Sequence, residues 1–151
     1  MKKLRQGLTV IAIIYLLLSY MVGCSHFYRV EFLNDACIIP YKDYDYRTCE
    51  TMRVKVDGNV IDVPKNFKTD LASIPRVLWP VFAPQYSGFV APAILHDYLY
   101  HCHTGVTRKY ADEVLYSALI TENVTPFTAS KFYLGVRLFG GLHFNKEGRD
   151  C

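Results

Sequence analysis

The chain has 151 residues, of which 51% are hydrophobic and 15% aromatic, and its formal net charge is +3. This length suits one domain with its own core and is short for two, while the 12 tyrosines argue against disorder. The charge excess comes from Lys2, Lys3 and Arg5, so the remaining chain is neutral, with 14 basic and 14 acidic residues, and gives no support for nucleic-acid binding.

The N-terminal segment has the layout of a bacterial lipoprotein signal. A basic start is followed by an apolar run over residues 8–22 and by MVGC, which ends at Cys24 and resembles a lipobox. We therefore expect a signal peptide over 1–23 and a single domain over 24–151, attached to a membrane through a lipidated Cys24. Ser25 favours the outer membrane, so the expected location is the periplasmic face of the envelope. An uncleaved anchor is the alternative, although a spanning helix needs about 20 residues.

The first half of the domain predicts strands. Residues 27–40 predict two short strands around Asn34-Asp35, and the polar, tyrosine-rich residues 41–50 predict a surface loop. In MRVKVDGNVIDVP, Asp57-Gly58 is a two-residue hairpin turn between alternating flanks. The predicted register pairs opposite residues as Val54 with Ile61, Met52 with Val63, and Arg53 with Asp62.

The second half predicts helices. Four prolines between 64 and 88 indicate a connecting region, and helices are then expected at about 89–102, 108–122 and 126–139. Thr107 and Thr125 are expected to cap the second and third helices, and Gly140-Gly141 to end the third. The predicted fold class is α+β, with a small antiparallel sheet followed by a three-helix half.

Four cysteines remain if Cys24 carries lipid, and an even number in an oxidising compartment suggests up to two disulfides. Three connectivities are possible. Cys37 with Cys49 is favoured because the two are close in sequence, which leaves Cys102 with Cys151. A competing idea is a zinc site formed by Cys102 and its two histidine neighbours, His101 and His103, but the paired C-x-x-C spacing is lacking.

The candidate site is a His-Asp pair on the first predicted helix and an aspartate on the second. His96 and Tyr100 are four residues apart and share a helix face, with Asp97 about 100° around the axis. A five-residue turn makes the helices antiparallel neighbours, so Asp112 can face His96 or Tyr100. A histidine oriented by a carboxylate can remove a proton from water, and a second carboxylate can hold a metal that stabilises an oxyanion.

This local pattern resembles the active site of phospholipases A2, which carry H-D-x-x-Y on one helix and an aspartate on its antiparallel partner. The resemblance covers about 25 residues. It implies that His96 is the base, Asp97 a calcium ligand and Asp112 the residue that orients His96. Those enzymes also bind calcium through a glycine-rich loop upstream, and this chain has only Tyr86-Ser87-Gly88 there.

A broader resemblance covers about residues 60–140. The segments NFKTDLASIPR, LHDYLYH and RKYADEVLYSAL are similar to a phage and prophage family known as domain of unknown function 1353. Its pattern is F-x-T-D-x-A-S-x-P, H-D-x-L-Y and R-x-x-A-D, and it implies a phage, prophage or bacterial source without a settled activity. The polar positions of the pattern correspond here to Thr69, Asp70, Ser73, His96, Asp97, Tyr100, Arg108 and Asp112.

Structural roles compete with catalytic ones at each of these positions. Capping and turn formation suit the three polar residues of the first motif, Thr69, Asp70 and Ser73. Arg108 and Asp112 are spaced as a helix-face ion pair, which would compete with Asp112 orienting His96. His96 also suits a hydrogen-bonded core histidine. A serine-hydrolase triad through Ser73 is disfavoured because no G-x-S-x-G surrounds that serine.

Three functions remain for a lipid-anchored envelope protein of this kind, and the third of them is a component of a virion or of a lysis module. The first is a binding protein, for example one that excludes superinfecting phage, in which the polar cluster is structural and a surface aromatic patch including Tyr41, Tyr44 and Tyr46 contacts an envelope or phage partner. The second is a small hydrolase of lipid or envelope esters, in which His96 and Asp112 are catalytic and Asp97 with Asp70 holds a divalent metal such as calcium. The second requires His96 to be open to a cleft.

Overall fold

The computed structural model of the protein describes residues 28–42, 45–71, 87–102 and 105–144. Within these ranges lie two three-stranded antiparallel sheets followed by three α-helices, so the predicted α+β class is confirmed. The expectations for the signal peptide, Cys24, Ser73 and Cys151 fall outside the described residues. None of the helices within these ranges is long and apolar enough to cross a membrane.

The first sheet has the strand order β1-β4-β5, with bounds Val30–Phe32, Met52–Val56 and Asn59–Val63. Its β4–β5 hairpin turns at Asp57 and Gly58, whose φ angles are 46° and 89°. A two-residue hairpin turn with positive φ at both positions suits the Asp-Gly sequence. The predicted register is confirmed, since the observed partners include Val54 with Ile61, Met52 with Val63, and Arg53 with Asp62.

The second sheet has the strand order β2-β3-β6, with bounds Ile38–Pro40, Tyr46–Thr48 and Lys68–Thr69. The predicted loop over 41–50 is therefore wrong at β3. The chain is held there by the predicted Cys37–Cys49 disulfide, which is confirmed, and by Thr48. The buried Thr48 hydroxyl donates to the Pro64 carbonyl at 2.7 Å and accepts from the Phe67 amide at 2.9 Å. These long-range contacts give a short polar segment its strand conformation.

The three helices are α1 (Ser87–His101), α2 (Arg108–Thr121) and α3 (Pro126–Phe139), and a 3-10 turn (Gly140–Leu142) follows α3. The predicted caps are confirmed, because the hydroxyls of Thr107 and Thr125 accept from the amides of Tyr110 and Thr128. The first helix begins two residues earlier than predicted. Pro92 therefore lies in its second turn, where it cannot donate a backbone hydrogen bond.

The main core lies between the inner face of the first sheet and helices α1 and α2. Its fully buried members include Met52, Val54, Val63, Phe67, Ile94, Leu95, Leu99 and Val114. A second apolar cluster joins α2 to α3 through Leu115, Leu119, Ala129, Phe132, Tyr133 and Val136. Helix α2 is thus packed on two sides, and Asp112 in its second turn is buried between α1 and α3.

Candidate functional site

Asp112 is the centre of the candidate site and is fully buried in the second turn of α2. Its Oδ1 accepts from Tyr100 Oη at 2.5 Å and lies 3.0 Å from His96 Nε2, so the structure brings three of the predicted site residues together. An ionised carboxylate has no proton to donate. The Nε2 atom of His96 therefore carries the hydrogen, and in a neutral ring the lone pair remains on Nδ1.

The second oxygen of Asp112 has a partner that the sequence did not predict. Oδ2 accepts from Nη1 of Arg137 on α3 at 2.9 Å. The four side chains of Asp112, His96, Tyr100 and Arg137, which we call the Asp112 network, thus tie all three helices together. Arg137 is the only charged residue in the second half of α3, and it is flanked by the apolar Val136 and Leu138. A single charged residue in an apolar helical segment was the sequence pattern that could have predicted an internal ion-pair partner.

The electrostatics of the Asp112 network favour an ionised aspartate. Burial alone raises the pKa of Asp112, but hydrogen bonds and charge from His96, with further hydrogen bonds from Tyr100 and Arg137, leave that pKa below its usual range. Burial and the hydrogen bond to Asp112 raise the pKa of the Tyr100 hydroxyl well above its usual range. Tyr100 is therefore a donor at neutral pH, and the network carries a fixed arrangement of charges.

Arg108 does not form the helix-face ion pair with Asp112 that its spacing allows. Its guanidinium instead lies beside the 3-10 turn, where a Cβ added at Gly141 would be 2.8 Å from Nη1. Its positive charge acts on Tyr100 by lowering the pKa of that hydroxyl, against the larger effects that raise it. Arg137, and not Arg108, is the cation that pairs with Asp112. It binds Oδ2, so Oδ1 remains available to His96.

Asp97 and Thr69 form a second polar contact next to the Asp112 network. Both are buried, and the Thr69 hydroxyl donates to Asp97 Oδ2 at 2.5 Å. The same hydroxyl accepts from the Leu71 amide at 3.0 Å, so Thr69 has the turn-forming role that was one of its two predicted alternatives. Leu71 has a φ of 57°, a left-handed conformation that is uncommon for leucine. The contact joins the end of β6 to α1.

The described residues do not provide a preformed calcium site. Asp70 is half-buried, and Asp97 is engaged with Thr69. Within the described ranges, no three side chains among His, Cys, Asp and Glu are grouped so that they could hold a metal ion. Calcium takes six to eight oxygen ligands, so the donor set available here does not fit it. The metal role of Asp97 with Asp70 stays a prediction on which no chemical step can be built.

Three members of the Asp112 network are closed from solvent, while the Arg137 side chain is 25% exposed. The exposed fractions are 0% for Asp112 and Tyr100, 1% for Asp97 and 3% for His96. Two surface cavities lined by described residues lie elsewhere. One of about 440 Å³ is lined by Arg29, Glu31, Lys55, Asp57 and Gly58, and one of about 370 Å³ lies between the β1–β2 connection and the start of α1. His96 and Asp112 have the geometry of a catalytic dyad, but neither residue lines either of these two cavities.

The cysteine and histidine residues near the end of α1 do not support the zinc alternative. Cys102 is disulfide-bonded, to a partner outside the described residues, and a cysteine in a disulfide is not available as a thiolate ligand. The predicted pairing with Cys151 falls outside the described part of the chain, as does His103.

A basic and aromatic patch surrounds the exposed Tyr41 after β2, with Arg47 and Lys68 half-buried. The Arg47 guanidinium lies 3.4 Å from the centroid of the Tyr41 ring, and the ammonium groups of Lys42 and Lys68 lie 5.6 and 5.8 Å from it. Tyr41 is 38% exposed and Ile39 is 49% exposed. We call these five residues the Tyr41 patch. Of the other predicted members, Tyr46 is half-buried in β3, and Tyr44 is outside the described residues.

Comparison with known protein families assigns the chain to a family. No curated protein and no solved structure matches the chain. A family model described as "Protein of unknown function (DUF1353)" matches residues 44–136, which contain the Asp97–Thr69 contact and three members of the Asp112 network. Because the match covers more than half of the chain, the protein belongs to the DUF1353 family.

Proposed function

We propose that the protein is a lipid-anchored envelope protein that acts by binding an envelope or phage component, as in exclusion of superinfecting phage. The observation that carries the non-catalytic part is the burial of His96, Tyr100 and Asp112 within the Asp112 network. Each carboxylate oxygen of Asp112 is occupied by donors from neighbouring helices, and His96 is 3% exposed. Such a network stabilises helix packing, since buried polar groups need partners.

The Tyr41 patch supplies the binding surface in this proposal. Tyrosine and arginine are enriched among the few residues that dominate binding energy at protein interfaces. In this patch the Arg47 guanidinium already lies over the Tyr41 ring, so little side-chain freedom is lost on binding. Three cations next to one exposed ring favour an acidic partner surface.

The anchor part of the proposal rests on the MVGC sequence at Cys24. The test uses the full chain expressed in a bacterial host. Radiolabelled palmitate should enter the protein and should be absent from Cys24→Ser. Absence of label in the unaltered chain would contradict the lipid anchor.

The binding part is tested by the plating efficiency of a panel of phages on the same host. The unaltered chain should lower plating of a susceptible phage, and Tyr41→Ala with Lys68→Glu should restore it. Val60→Ala, which alters an exposed residue on the other sheet, is the matched surface control and should not. His96→Gln should retain exclusion at matched protein levels. Loss of exclusion in His96→Gln alone, or no effect of the Tyr41 patch variant, would contradict the proposal.

Hydrolysis of lipid or envelope esters is the second candidate, and one observation favours it. The 3.0 Å contact from His96 Nε2 to Asp112 leaves the lone pair on Nδ1, which is the arrangement of a general base oriented by a carboxylate. Purified full-length protein should then release fatty acid from phospholipid vesicles, with and without calcium, and His96→Gln should abolish that release. No release above the His96→Gln level would remove this candidate.

A further inference from the structure

The cavity between the β1–β2 connection and the start of α1 combines apolar and acidic side chains. It has a volume of about 370 Å³, and the apolar residues among those that line it are Phe32, Ala36, Ile38, Val90 and Ala91. Asp35 and Glu122 line it as well, and its described lining residues include no lysine or arginine. Binding pockets are typically about 300–1,000 Å³, mostly apolar and furnished with a few polar groups. We call this cavity the acidic groove.

The two carboxylates of the acidic groove have no cation beside them among the described residues. Asp35 is exposed and Glu122 is half-buried. The ion pairs within the described part of the chain use Asp62, Asp112 and Glu113 as their acids, and neither carboxylate of the groove takes part. A positively charged occupant of the groove is therefore favoured over a neutral or acidic one.

The Tyr41 patch has the complementary chemistry. It presents the exposed Ile39 and Tyr41 together with the cations of Lys42, Arg47 and Lys68. Neither Lys42 nor Arg47 forms an ion pair with a described residue. An aromatic anchor beside cations fits an apolar pocket that is lined by carboxylates, because the ring contacts the apolar residues while the cations face the opposite charges.

The groove and the patch lie on opposite faces of the second sheet. Successive side chains of a strand point to opposite sides, so Ile38 faces the acidic groove while Ile39 and Tyr41 face away from it. Arg47 is the partner of Ile39 in the sheet, and Lys68 is the partner of Arg47, so both cations lie on the face of Ile39. One molecule therefore cannot place its own patch in its own groove, whereas a second copy can.

We propose that the protein associates with a second copy of itself, with the Tyr41 patch of one copy seated in the acidic groove of the other. The contact places Tyr41 and Ile39 on the apolar residues of the groove and pairs the cations of the patch with Asp35 and Glu122. A two-fold pair forms two such contacts at once, and two-fold dimers are the commonest oligomers.

This inference goes beyond the proposed function and adds regulation to the same patch. Self-association covers the Tyr41 patch, so an envelope or phage partner has to compete with the second copy for it. The fraction of free patches therefore falls as the protein becomes denser, because association follows mass action.

The test is photo-cross-linking in cells between two differently tagged full-length copies. One copy carries Ile39→p-benzoylphenylalanine, which leaves Tyr41 and the cations of the patch in place. It should cross-link to the other copy, and mass spectrometry should place the cross-link on peptides that contain Asp35 or Glu122. The same photoreactive residue at Val60, which is 57% exposed on the first sheet, is the matched control and should give no dimer.

Charge reversal in the groove tests the pairing. Asp35→Lys in the second copy should lower the yield of cross-linked dimer several-fold, whereas Asp62→Lys, at an exposed acid on the first sheet, should leave it unchanged. An Asp35→Lys chain that itself carries the photoreactive residue should still cross-link to an unaltered groove, which shows that this variant folds. A yield unchanged by Asp35→Lys, or a cross-link that maps outside the groove, would overturn the inference.

Phage plating on the same cells separates this inference from the proposed function. Asp35→Lys leaves the Tyr41 patch intact, so it should retain exclusion while its groove loses the cross-link. Exclusion by the unaltered chain with no cross-link to a second copy would overturn self-association alone. A groove cross-link without exclusion of any phage would overturn the proposed function and leave self-association standing.

Discussion

At the scale of single residues, the packing of the three helices depends on the carboxylate of Asp112. In Asp112→Asn one oxygen becomes an amide that cannot accept from its present donors, and Arg137 loses its ion-pair partner. Breaking a buried ion pair by removing one partner costs about 3–5 kcal/mol. Because the Arg137 side chain is 25% exposed, we expect the lower end, about 3 kcal/mol of unfolding free energy, measured by urea denaturation.

The matched control for this change is Asp62→Asn. Asp62 pairs with Arg53 at 3.5 Å, and both side chains are more than half exposed. Exposed ion pairs contribute about 0.2–1 kcal/mol, so the control should cost at most about 1 kcal/mol. Equal losses in the two variants would contradict a structural role for the Asp112 network.

Part of this site could be predicted from local sequence, and part could not. The i, i+4 spacing of His96 and Tyr100 and the short turn before α2 were enough to bring Asp112 to them. Arg137 was missed because its contact depends on how α3 is rotated about its own axis against α2. That rotation is fixed by the apolar contacts of Phe132, Tyr133 and Val136 rather than by a local spacing rule.

At the scale of elements, Tyr100 packs closely against Gly140, the residue at which α3 ends and the 3-10 turn begins. A Cβ added at Gly140 would lie 2.5 Å from the Tyr100 hydroxyl, and Tyr100 is fully buried. Gly140→Ala should therefore displace Tyr100 from Asp112 or shift the turn. Overpacking of this kind costs about 1–3 kcal/mol, which thermal or urea unfolding would detect.

Gly135→Ala gives a control within the same helix. No atom lies within 4 Å of a Cβ built at Gly135, so the methyl group meets open space. Replacing glycine by alanine inside a helix stabilises it by about 0.5–1 kcal/mol. The two Gly→Ala changes should shift the unfolding midpoint in opposite directions, and a loss at both would refute the assignment of the cost to Tyr100.

The second sheet should depend on its disulfide. The Cys37–Cys49 bond joins the residue before β2 to the residue after β3, with a sequence separation of 12, and so closes a short loop that contains both strands. Native disulfides of this kind contribute about 2–4 kcal/mol, so Cys37→Ala with Cys49→Ala should lower the unfolding free energy by about that much. An unchanged urea midpoint would show that the strand pairing and the Thr48 hydrogen bonds alone hold β3 in place.

The elements that the sequence predicted well are those with their own local signals. The Asp57-Gly58 turn fixed the hairpin register, and Thr107 and Thr125 marked the starts of α2 and α3. Strand β3 was missed because its conformation comes from a disulfide and from contacts to residues 64–69, all distant in sequence. The sequence predicted one sheet, whereas the structure has two, for the same reason: β6 pairs with β3 and does not extend the β4–β5 hairpin.

At the scale of the whole molecule, the acid stability of the fold should follow the ionisation of Asp112. The hydrogen bonds and charges around this carboxyl lower its pKa in the folded chain, while the unfolded value is about 3.9. A lowered folded pKa means that the stabilisation is present above the unfolded value and is lost as pH falls through the folded pKa.

Asp112→Asn has no carboxyl to titrate at this position. The stability gap between the unaltered protein and Asp112→Asn should therefore be full at pH 7 and narrow progressively below about pH 4. Val54→Ala removes apolar contacts from a fully buried residue without a titrating group, so its gap from the unaltered protein should stay constant over the same range. Urea midpoints for the three proteins between pH 7 and pH 3 would check this, and an Asp112→Asn gap that did not change with pH would show that the carboxyl is not held ionised by the helices around it.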